Sequence, residues 1–144
     1  MARIKHIALV TDDPVKTAEF YKEHFGLTEL YRRPTDTGEK GVWLSDGYIY
    51  FAILAYGTAD APKLGPGQTS DMRGIHHIGF QVESLEAIAE RLTAAGSRRR
   101  HDVEQALGVA PGTEGNVEVK WTGPDGIMLD VSKTGWLGTP TFGH

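Results

Sequence analysis

An internal repeat constrains the fold of this chain more than any other feature. Residues 5–26 have the sequence KHIALVTDDPVKTAEFYKEHFG, and residues 76–96 have the sequence HHIGFQVESLEAIAERLTAAG. Each segment begins with a short apolar strand that carries a histidine, continues through a polar break into an amphipathic helix, and ends in glycine. His6 matches His77 when the segments are aligned. Because one strand–helix unit cannot bury both faces of a sheet, we expect the two copies to pack together.

The two predicted helices have matching start and stop signals. Asp13 suits the N-cap of the first helix and Pro14 its first turn, while Ser84 suits the N-cap of the second. Gly26 and Gly96 follow the last apolar positions, where glycine can adopt the left-handed conformation that ends a helix. Each copy therefore predicts one complete helix after its first strand.

The repeat continues through the second part of each copy. Residues 44–54, LSDGYIYFAIL, are similar to residues 122–132, TGPDGIMLDVS, since each segment has an Asp-Gly turn followed by an apolar strand. Four further strands are predicted, at residues 27–33, 40–45, 98–103 and 117–122. Each copy then has the order strand, helix and three strands, which predicts an α+β fold of two tandem βαβββ modules.

The chain has 144 residues, enough for one domain whose parts the repeat defines. We predict one domain over residues 1–144, with module one at 1–57, a linker at 58–73, module two at 74–132 and a tail at 133–144. The second module is the longer one, and we place its additional residues in the glycine- and proline-bearing segment 105–116.

The composition argues against several classes of partner and site. The net charge of −4 disfavours nucleic acid, because phosphate binding needs a basic surface. The basic cluster at residues 98–100 favours a solvated strand or loop, with binding of an anionic substrate as the minor alternative. The chain has no cysteine, which excludes disulfides, thiolate metal sites and a cysteine nucleophile. No segment resembles a signal peptide or a membrane span, so we expect a cytoplasmic protein without a membrane partner.

Strand alternation separates the adjacent histidines of GIHHIGFQV, residues 74–82, since neighbouring side chains on a strand point to opposite faces. Four apolar side chains define the faces expected to contact the helices: Ile7, Leu9, Ile78 and Phe80. His6 and His77 should therefore lie on the opposite face, at equivalent positions of the repeat. His76 should lie on the helix side, where we expect a structural residue that forms a hydrogen bond rather than a ligand.

The last predicted strand adds a carboxylate to the two histidines. In GIMLDVS, Asp130 alternates with an apolar face and so shares the inferred face of His6 and His77. A carboxylate inside an apolar strand is costly to bury unless it is paired or binds a cation. Taken singly, such a histidine is usually satisfied or exposed and such an aspartate solvated. Their coincidence on one face favours a divalent metal site with open positions.

Three segments resemble the landmarks of the vicinal oxygen chelate superfamily: KHIALVTDDPVKTAEFYKEHFGL, GIHHIGFQVESLEAIAERLTAAG and GPDGIMLDVS. This superfamily includes glyoxalase I, methylmalonyl-CoA epimerase, extradiol dioxygenases, manganese-dependent fosfomycin-resistance enzymes and metal-free bleomycin-binding proteins. The resemblance covers residues 4–132. It implies paired βαβββ modules that form a curved eight-stranded sheet around a metal cleft, within one chain or across a dimer, and we expect a homodimer.

The resemblance also implies metal ligands on the first and fourth strand of each module. The first-strand positions fall on His6 and His77, and the fourth-strand position of module two falls on Asp130, where the family usually has glutamate.

Module one departs from the family at its fourth strand. Alignment of the Asp-Gly turns gives Phe51 at the ligand position, and a slip of one residue gives Tyr50 or Ala52. None of these is the acid or amide that glyoxalases and epimerases carry, so the chain offers three ligands rather than four.

A three-ligand site favours an extradiol-dioxygenase-like enzyme as the leading hypothesis, because two histidines and a carboxylate form the facial triad of non-heme iron(II) enzymes. Iron(II) or manganese(II) is favoured, with zinc, nickel or cobalt as further options. The substrate would be a catechol-like or other vicinally oxygenated small molecule, and Phe51 is expected to line its pocket. The alternatives are a non-oxidative glyoxalase- or epimerase-type isomerase, a lyase, a thiol or epoxide transferase, or a metal-free drug-binding protein.

The general base and the role of the tail are left open by the sequence. Four residues are base candidates by residue type alone: Tyr48, Tyr50, His101 and Glu118. Alternation assigns both tyrosines to the helix side, and His101 suits the surface. The tail, which contains Trp136 and Phe142, either covers the cleft or packs at an interface, and we favour the interface.

Overall fold

The computed structural model describes residues 1–33, 40–55, 71–106 and 118–140. It contains the strands β1 (Arg3–Val10), β2 (Thr28–Arg33), β3 (Lys40–Ser45), β4 (Tyr50–Ala55), β5 (Gly74–Gln81), β6 (Val119–Thr122) and β7 (Met128–Ser132). Its helices are α1 (Pro14–Phe25), α2 (Leu85–Ala94) and α3 (His101–Ala106), with a short 3-10 turn at Pro124–Gly126. The strands form one sheet in the order β2-β3-β4-β1-β5-β7-β6. The fold class is α+β, as predicted.

The first strands of the two copies, β1 and β5, lie side by side at the centre of the sheet and run antiparallel. On its other side, β1 pairs with β4 in parallel, and β5 pairs with β7 in parallel. His6 and His77 are each the fourth residue of an eight-residue strand, and the order of buried and exposed positions is the same in both strands. The equivalence of the two histidines is therefore present in the structure.

The helix signals act where the sequence predicts them. The Asp13 side chain accepts a hydrogen bond from the backbone N–H of Lys16 at 3.1 Å, and the Ser84 side chain accepts one from the N–H of Ala87 at 3.1 Å. Such caps satisfy backbone donors that the first helical turn leaves without a partner. Gly26 ends α1 with a φ of 71°, in the left-handed region that glycine tolerates best.

Two apolar clusters join the helices to one face of the sheet. On the side of α1 they comprise Ala18, Val42, Leu44 and Ile53, with Tyr21, Leu27 and Phe51 at the margin. On the side of α2 they comprise Val82, Val119, Trp121 and Val131, with Phe80, Leu85, Ile88, Ala89, Leu92 and Leu129 at the margin. Burying one such aliphatic side chain stabilises the fold by about 1.5–3 kcal/mol. The opposite face is thereby left for the candidate site.

The predicted strand at residues 98–103 is wrong in its second half. Arg99 makes only an isolated bridge to Trp121, and α3 begins at His101. Within the described ranges the sheet therefore has seven strands, one fewer than predicted.

Local ion pairs explain why the strand stops. The Arg99 guanidinium donates two hydrogen bonds to the Glu104 carboxylate, and Arg100 donates to Asp102. Both acceptors belong to α3, so these contacts favour a helical turn directly after the bridge. They also engage two of the three arginines of the basic cluster within the chain, which weakens the anionic-substrate alternative.

Two predicted segments lie largely outside the described residues. Of the linker at 58–73, residues 58–70 are outside them, as are residues 107–116 of the segment assigned to the additional residues of module two. In the part of the chain that is described, no helix is long and apolar enough to cross a membrane.

Candidate metal centre

His6, His77 and Asp130 meet on the sheet face opposite α1 and α2. The Nε2 atoms of the two histidines are 2.9 Å apart, and Asp130 Oδ2 lies 3.2 Å from His77 Nε2 and 3.8 Å from His6 Nε2. One candidate ligand atom from each residue lies within 4.8 Å of the other two. The residues are 2%, 5% and 0% exposed, respectively. The predicted common face is confirmed, while ion binding stays a prediction.

Small residues two positions after each histidine make room for this arrangement. In the antiparallel β1–β5 pair, His6 is opposite Gly79 and His77 is opposite Ala8. A Cβ atom at position 79 would lie 2.6 Å from the His6 Cβ and 2.9 Å from the Trp136 ring, closer than real Cβ atoms approach. Each imidazole therefore has a small cross-strand neighbour, which the His-apolar-small order of both strands supplies.

Two β-bulges place the residues that precede the histidines. The β1–β5 register shifts at Lys5 and again at His76, so each is an additional residue on its strand. His76 is fully buried, and its Nδ1 atom lies 2.6 Å from the Nδ1 atom of His77. Simple alternation assigned His76 to the helix side; because alternation breaks at a bulge, its ring instead contacts that of His77.

The hydrogen bond of His6 leaves Nε2 free to act as a ligand. His6 Nδ1 lies 2.8 Å from the carbonyl oxygen of Tyr50, which can only accept, so we assign the ring hydrogen to Nδ1. Burial lowers the pKa of His6 and lowers that of His77 further, with the neighbouring Lys120 acting in the same direction. Both rings are therefore neutral near pH 7, which is the form that binds metals.

The predicted face of Phe51 is wrong, and so is the helix-side assignment of Tyr50. Along β4, Tyr50 pairs with His6, and the next residue, Phe51, falls on the other face. The Phe51 ring contacts Tyr21 of α1, with 5.1 Å between ring centroids, so it cannot line a cleft beside the histidines. The error comes from the turns: β4 starts three residues after Gly47, but β7 starts only two residues after Gly126.

Ala52 occupies the place in module one that Asp130 occupies in module two. Asp130 pairs with Gly79 on β5, Ala52 pairs with Ala8 on β1, and Gly79 and Ala8 are equivalent positions of the repeat. A methyl group cannot coordinate an ion, so this position leaves a side of the centre without a protein ligand. The neighbouring Tyr50 directs its hydroxyl to the hydroxyl of Tyr31, at 3.3 Å; burial raises the pKa of this phenol.

Lys120 joins two carboxylates beside the histidines. Its Nζ atom lies 2.5 Å from Asp130 Oδ2 and 2.7 Å from Glu118 Oε2, and the other oxygen of Glu118 accepts a hydrogen bond from the indole N–H of Trp136. Sequence reasoning did not identify Lys120 and named Glu118 only by residue type. The signal was present in EVKW, because the charged residues alternate with apolar Val119 and so share the face of Asp130.

Burial and mutual attraction set the ionisation of this cluster. Burial raises the pKa of Asp130 well above its usual range, against the opposing effect of Lys120. Burial also acts to raise the pKa of Glu118, but Lys120 and His6 outweigh it and hold that pKa well below its usual range. The two carboxylates in turn outweigh burial for Lys120 and raise its pKa, so the ammonium stays charged.

The donors fit a divalent metal ion. Asp130 Oδ1 is buried with no hydrogen-bond partner in the described structure, and a buried carboxylate oxygen of this kind is costly unless something occupies it. Two neutral imidazoles and one carboxylate suit zinc, iron, manganese or nickel. His6, His77 and Asp130 would hold the ion, with the hydrogen bonds of the other ring nitrogens orienting the two imidazoles.

The tail covers this centre. The Trp136 and His6 ring centroids are 5.2 Å apart, and Trp136 belongs to the apolar cluster that contains Ala8 and Tyr50. Further on, the carbonyl oxygen of Gly138 accepts a hydrogen bond from the Ser45 hydroxyl at 3.1 Å. The structure thus supports the covering role, which the sequence did not favour; Phe142 lies outside the described residues.

The remaining base candidates lie away from the centre. The Tyr48 ring contacts the Lys5 ammonium, with 3.2 Å between Nζ and the ring centroid. His101 is 75% exposed at its side chain and lies 3.3 Å from the Glu104 carboxylate, so it is a surface residue as expected. Of the four candidates, Tyr50 contacts His6, and Glu118 is joined to the centre through Lys120 and Trp136.

Comparison with known proteins places these features in a family. The model of the Glyoxalase/Bleomycin resistance protein/Dioxygenase superfamily matches residues 3–131. Glyoxalase I of Saccharomyces cerevisiae is 28% identical over 135 residues, which cover 73% of this chain and 41% of the yeast protein. The chain thus spans about two fifths of that relative's length. Glyoxylase I 4 of Arabidopsis thaliana is 25% identical over 134 residues, covering 91% of this chain and 70% of that protein.

Solved structures show the same fold. A variant of Streptomyces coelicolor methylmalonyl-CoA epimerase in complex with 2-nitronate-propionyl-CoA has a TM-score of 0.60 at 20% identity, covering 90% of this chain and 96% of that one. A methylmalonyl-CoA epimerase in complex with methylmalonyl-CoA and ammonium has a TM-score of 0.60 at 23% identity, covering 97% and 99%. The resemblance to the vicinal oxygen chelate superfamily is confirmed: the chain belongs to the Glyoxalase/Bleomycin resistance protein/Dioxygenase superfamily.

Proposed function

We propose that the protein is a metal-dependent enzyme that acts on a small molecule with vicinal oxygens. The observation that carries this proposal is the convergence of two neutral imidazole nitrogens and one carboxylate oxygen, all buried, within 4.8 Å. Membership in a superfamily of enzymes and binding proteins supports it. A metal-free binding protein would not need His6, His77 and Asp130 on one face, so their convergence argues against that alternative.

A bound divalent ion would supply Lewis acidity towards the vicinal oxygens of the substrate. The side chains of the protein would hold this ion. His6 and His77 present Nε2 lone pairs, and Asp130 offers a negative charge. Lys120 holds Asp130 Oδ2 in place and compensates part of the charge of the two carboxylates. Iron(II) or manganese(II) is favoured, and zinc, nickel or cobalt would accept the same donors.

The leading reaction is extradiol-dioxygenase-like cleavage of a catechol-like substrate. With three protein ligands and Ala52 in the fourth place, a bound ion would have open coordination positions for substrate and dioxygen. Tyr50 and Trp136 next to His6 give this side of the centre an aromatic wall that suits a planar ring.

A second candidate is a non-oxidative isomerase or lyase, favoured by Glu118. Its carboxylate is held by Lys120 and Trp136 and is ionised at pH 7, so it can accept a proton from a carbon next to a carbonyl group, although its low pKa makes it a weak base. The relatives named glyoxalase I and methylmalonyl-CoA epimerase point in the same direction. A thiol or epoxide transferase would use the same donors.

Metal analysis of protein purified without added metal tests the proposal. We expect near-stoichiometric iron or manganese in the wild type, loss of metal in His77→Ala, and retention in the matched surface variant His101→Ala. Wild-type protein that stays metal-free and also resists reconstitution would overturn the proposal.

The two reactions differ in their use of oxygen. After anaerobic loading with iron(II), a panel of catechols is mixed with aerated buffer in an oxygen electrode. Oxygen uptake with coloured ring-cleavage products supports the dioxygenase. Exchange of a substrate C–H hydrogen with deuterated solvent, without oxygen uptake, supports the isomerase, and we expect Glu118→Gln to abolish this exchange.

Assembly and location complete the proposal. We expect a homodimer, to be measured by sedimentation, and a cytoplasmic location, to be measured by cell fractionation. Nucleic acid and membranes are not expected as partners.

A further inference from the structure

We propose that His76 is a positioning residue that determines which ring nitrogen of His77 carries hydrogen and which faces the metal centre. This inference rests on the proposed metal site. Its basis is the contact between the two Nδ1 atoms, 2.6 Å apart and buried. Two nitrogens at this distance share one hydrogen, since two N–H groups or two lone pairs would repel.

The direction of this hydrogen bond decides what His77 offers the centre. If His77 Nδ1 donates to His76, the lone pair of His77 is on Nε2, which faces His6 and Asp130. If His77 Nδ1 accepts, the hydrogen of the neutral ring is on Nε2, and this nitrogen cannot bind an ion. His76 therefore controls the availability of His77 as a ligand without touching the ion.

The two histidines of the centre are held by different kinds of partner. The partner of His6 is the Tyr50 carbonyl, which can only accept, so the tautomer of His6 is fixed. The partner of His77 is another imidazole, which can accept or donate. The centre thus combines one fixed histidine with one adjustable histidine.

An adjustable histidine solves a problem of the ion-free site. With two lone pairs at Nε2, His6 and His77 would repel at their separation of 2.9 Å. An Nε2–H on His77 removes this repulsion and can donate to His6 or to Asp130 Oδ2. When an ion binds, His77 carries its hydrogen on Nδ1 instead, and His76 carries its own on Nε2. The hydrogen count of the pair is unchanged.

The bulge on β5 makes the contact between His76 and His77 possible, and β1 has an equivalent bulge whose additional residue has a different contact. The equivalent additional residue on β1 is Lys5, whose ammonium lies over the Tyr48 ring and not at His6. The bulged position therefore serves a histidine only in module two, where the hydrogen bonds of the His77 ring within the described part of the chain go to His76 and His6 and not to a backbone carbonyl.

Two variants separate positioning from packing. His76→Leu introduces an apolar side chain of similar volume that cannot form the hydrogen bond to His77 Nδ1. His76→Asn can accept or donate through its amide near the place of Nδ1. Val42→Ala removes buried atoms from the α1 side of β3 and serves as the control for lost packing. The readouts are the side-chain ¹H–¹⁵N spectrum of His77 and the zinc(II) dissociation constant by calorimetry.

We expect His77 in the wild type to carry hydrogen on Nε2 without zinc and on Nδ1 with zinc. His76→Leu should keep the His77 hydrogen on Nε2 without zinc, because His6 Nε2 still faces it, and should bind zinc about 10–100-fold more weakly, the usual effect of losing the hydrogen-bond partner of a metal-binding histidine. His76→Asn should bind zinc close to wild type, and Val42→Ala should lose thermal stability while keeping its affinity for zinc.

Unchanged zinc affinity in a folded His76→Leu variant would overturn the inference. If that variant does not fold, a metal-free wild-type spectrum that shows no hydrogen shared between His76 Nδ1 and His77 Nδ1 overturns it equally. Absence of zinc, iron and manganese binding in the wild type would instead overturn the proposed function, and the metal-free spectra would still decide the role of His76.

Discussion

The Nε2 atoms of His6 and His77 lie 2.9 Å apart, although 71 positions separate the two residues in the chain. The contact follows from the antiparallel pairing of β1 with β5, in which each histidine faces the small residue of the other strand. Because the two copies of the first strand pair in antiparallel orientation, their equivalent histidine side chains meet at the same place on the sheet. Asp130 lies beside the two histidines because β7 pairs with β5.

Gly79→Ala should disrupt the centre through its added Cβ atom, which would meet the His6 Cβ and the Trp136 ring. Overpacking of this kind costs about 1–3 kcal/mol of stability, and relief of the clash requires His6 to move. We expect a lower urea midpoint together with loss of metal binding. Ala8→Gly, which removes a Cβ atom at the equivalent position, is the control and should retain metal. Full metal occupancy in Gly79→Ala would contradict the spatial argument.

Trp136→Phe should destabilise the protein through the loss of the hydrogen bond to Glu118. We expect a loss of about 1.5 kcal/mol, near the lower limit for a bond to a charged group because the Glu118 side chain is partly exposed. Trp121→Phe is the matched control, because the Trp121 indole N–H is buried without a hydrogen-bond partner and its removal leaves no acceptor unsatisfied. Equal urea midpoints for the two variants would show that the Trp136 bond contributes nothing.

Lys120→Met should leave two neighbouring carboxylates without their shared cation. Removing one partner of a buried ion pair costs about 3–5 kcal/mol, so we expect a large loss of stability at pH 7. Without the ammonium, the pKa of Glu118 should rise above its unfolded value, and the pKa of Asp130, which burial already raises, should rise further. The folded state then binds more protons than the unfolded state, and the loss should shrink as the pH is lowered.

Urea unfolding at pH 7 and pH 5 measures this effect. Added divalent metal should rescue Lys120→Met more than the wild type, since the ion supplies the missing positive charge. A Lys120→Met/Glu118→Gln double variant, with one carboxylate fewer, should be more stable than Lys120→Met alone. If the two variants were equally stable, Glu118 would not belong to the cluster.

The metal-free protein should lose stability as the pH falls below about 6.5, the ordinary histidine pKa. Burial lowers the pKa of His6 and His77 in the folded state, so the unfolded state binds more protons in this range. The stability that the two neutral rings contribute is fully present above the pKa of an unfolded histidine, and it is lost as the pH falls towards the lower pKa values of the folded state. Each histidine changes the free energy of unfolding by at most about 1.4 kcal/mol per pH unit.

Urea titrations between pH 8 and pH 5 measure this dependence, and His77→Gln should flatten it because one of the two titrating rings is gone. Saturating zinc should strengthen the dependence, since protons then compete with the ion for the same nitrogens. A pH dependence that His77→Gln leaves unchanged would show that the His77 ring is not buried in neutral form.

The local sequence pattern was sufficient to predict several features of the fold and of the site. Helix caps such as Asp13 and Ser84 act within one turn of the chain, so the sequence predicts them directly. The shared position of His6 and His77 follows from the repeat, and the face of Asp130 follows from alternation along one short strand. These features depend on neighbours within a few residues, and for that reason they can be predicted from the sequence.

Tertiary structure decided the features that depend on how one strand pairs with another. A turn longer by one residue places Tyr50 and Ala52, rather than Phe51, on the face of the histidines. A bulge brings His76 to His77, and ion pairs of α3 replace the second half of a predicted strand.

The surroundings of the three predicted ligands also came only from the fold. Lys120, Glu118 and Trp136 are far from His6 in the chain, and they come together around the centre because β6 and the tail return to the sheet: Trp136 contacts His6, and Lys120 contacts Asp130. Alternation along a strand is a local property, whereas register and tail position are set by contacts between distant segments. The sequence therefore determined which residues could form a centre, and the tertiary structure decided which partners hold, orient and cover them.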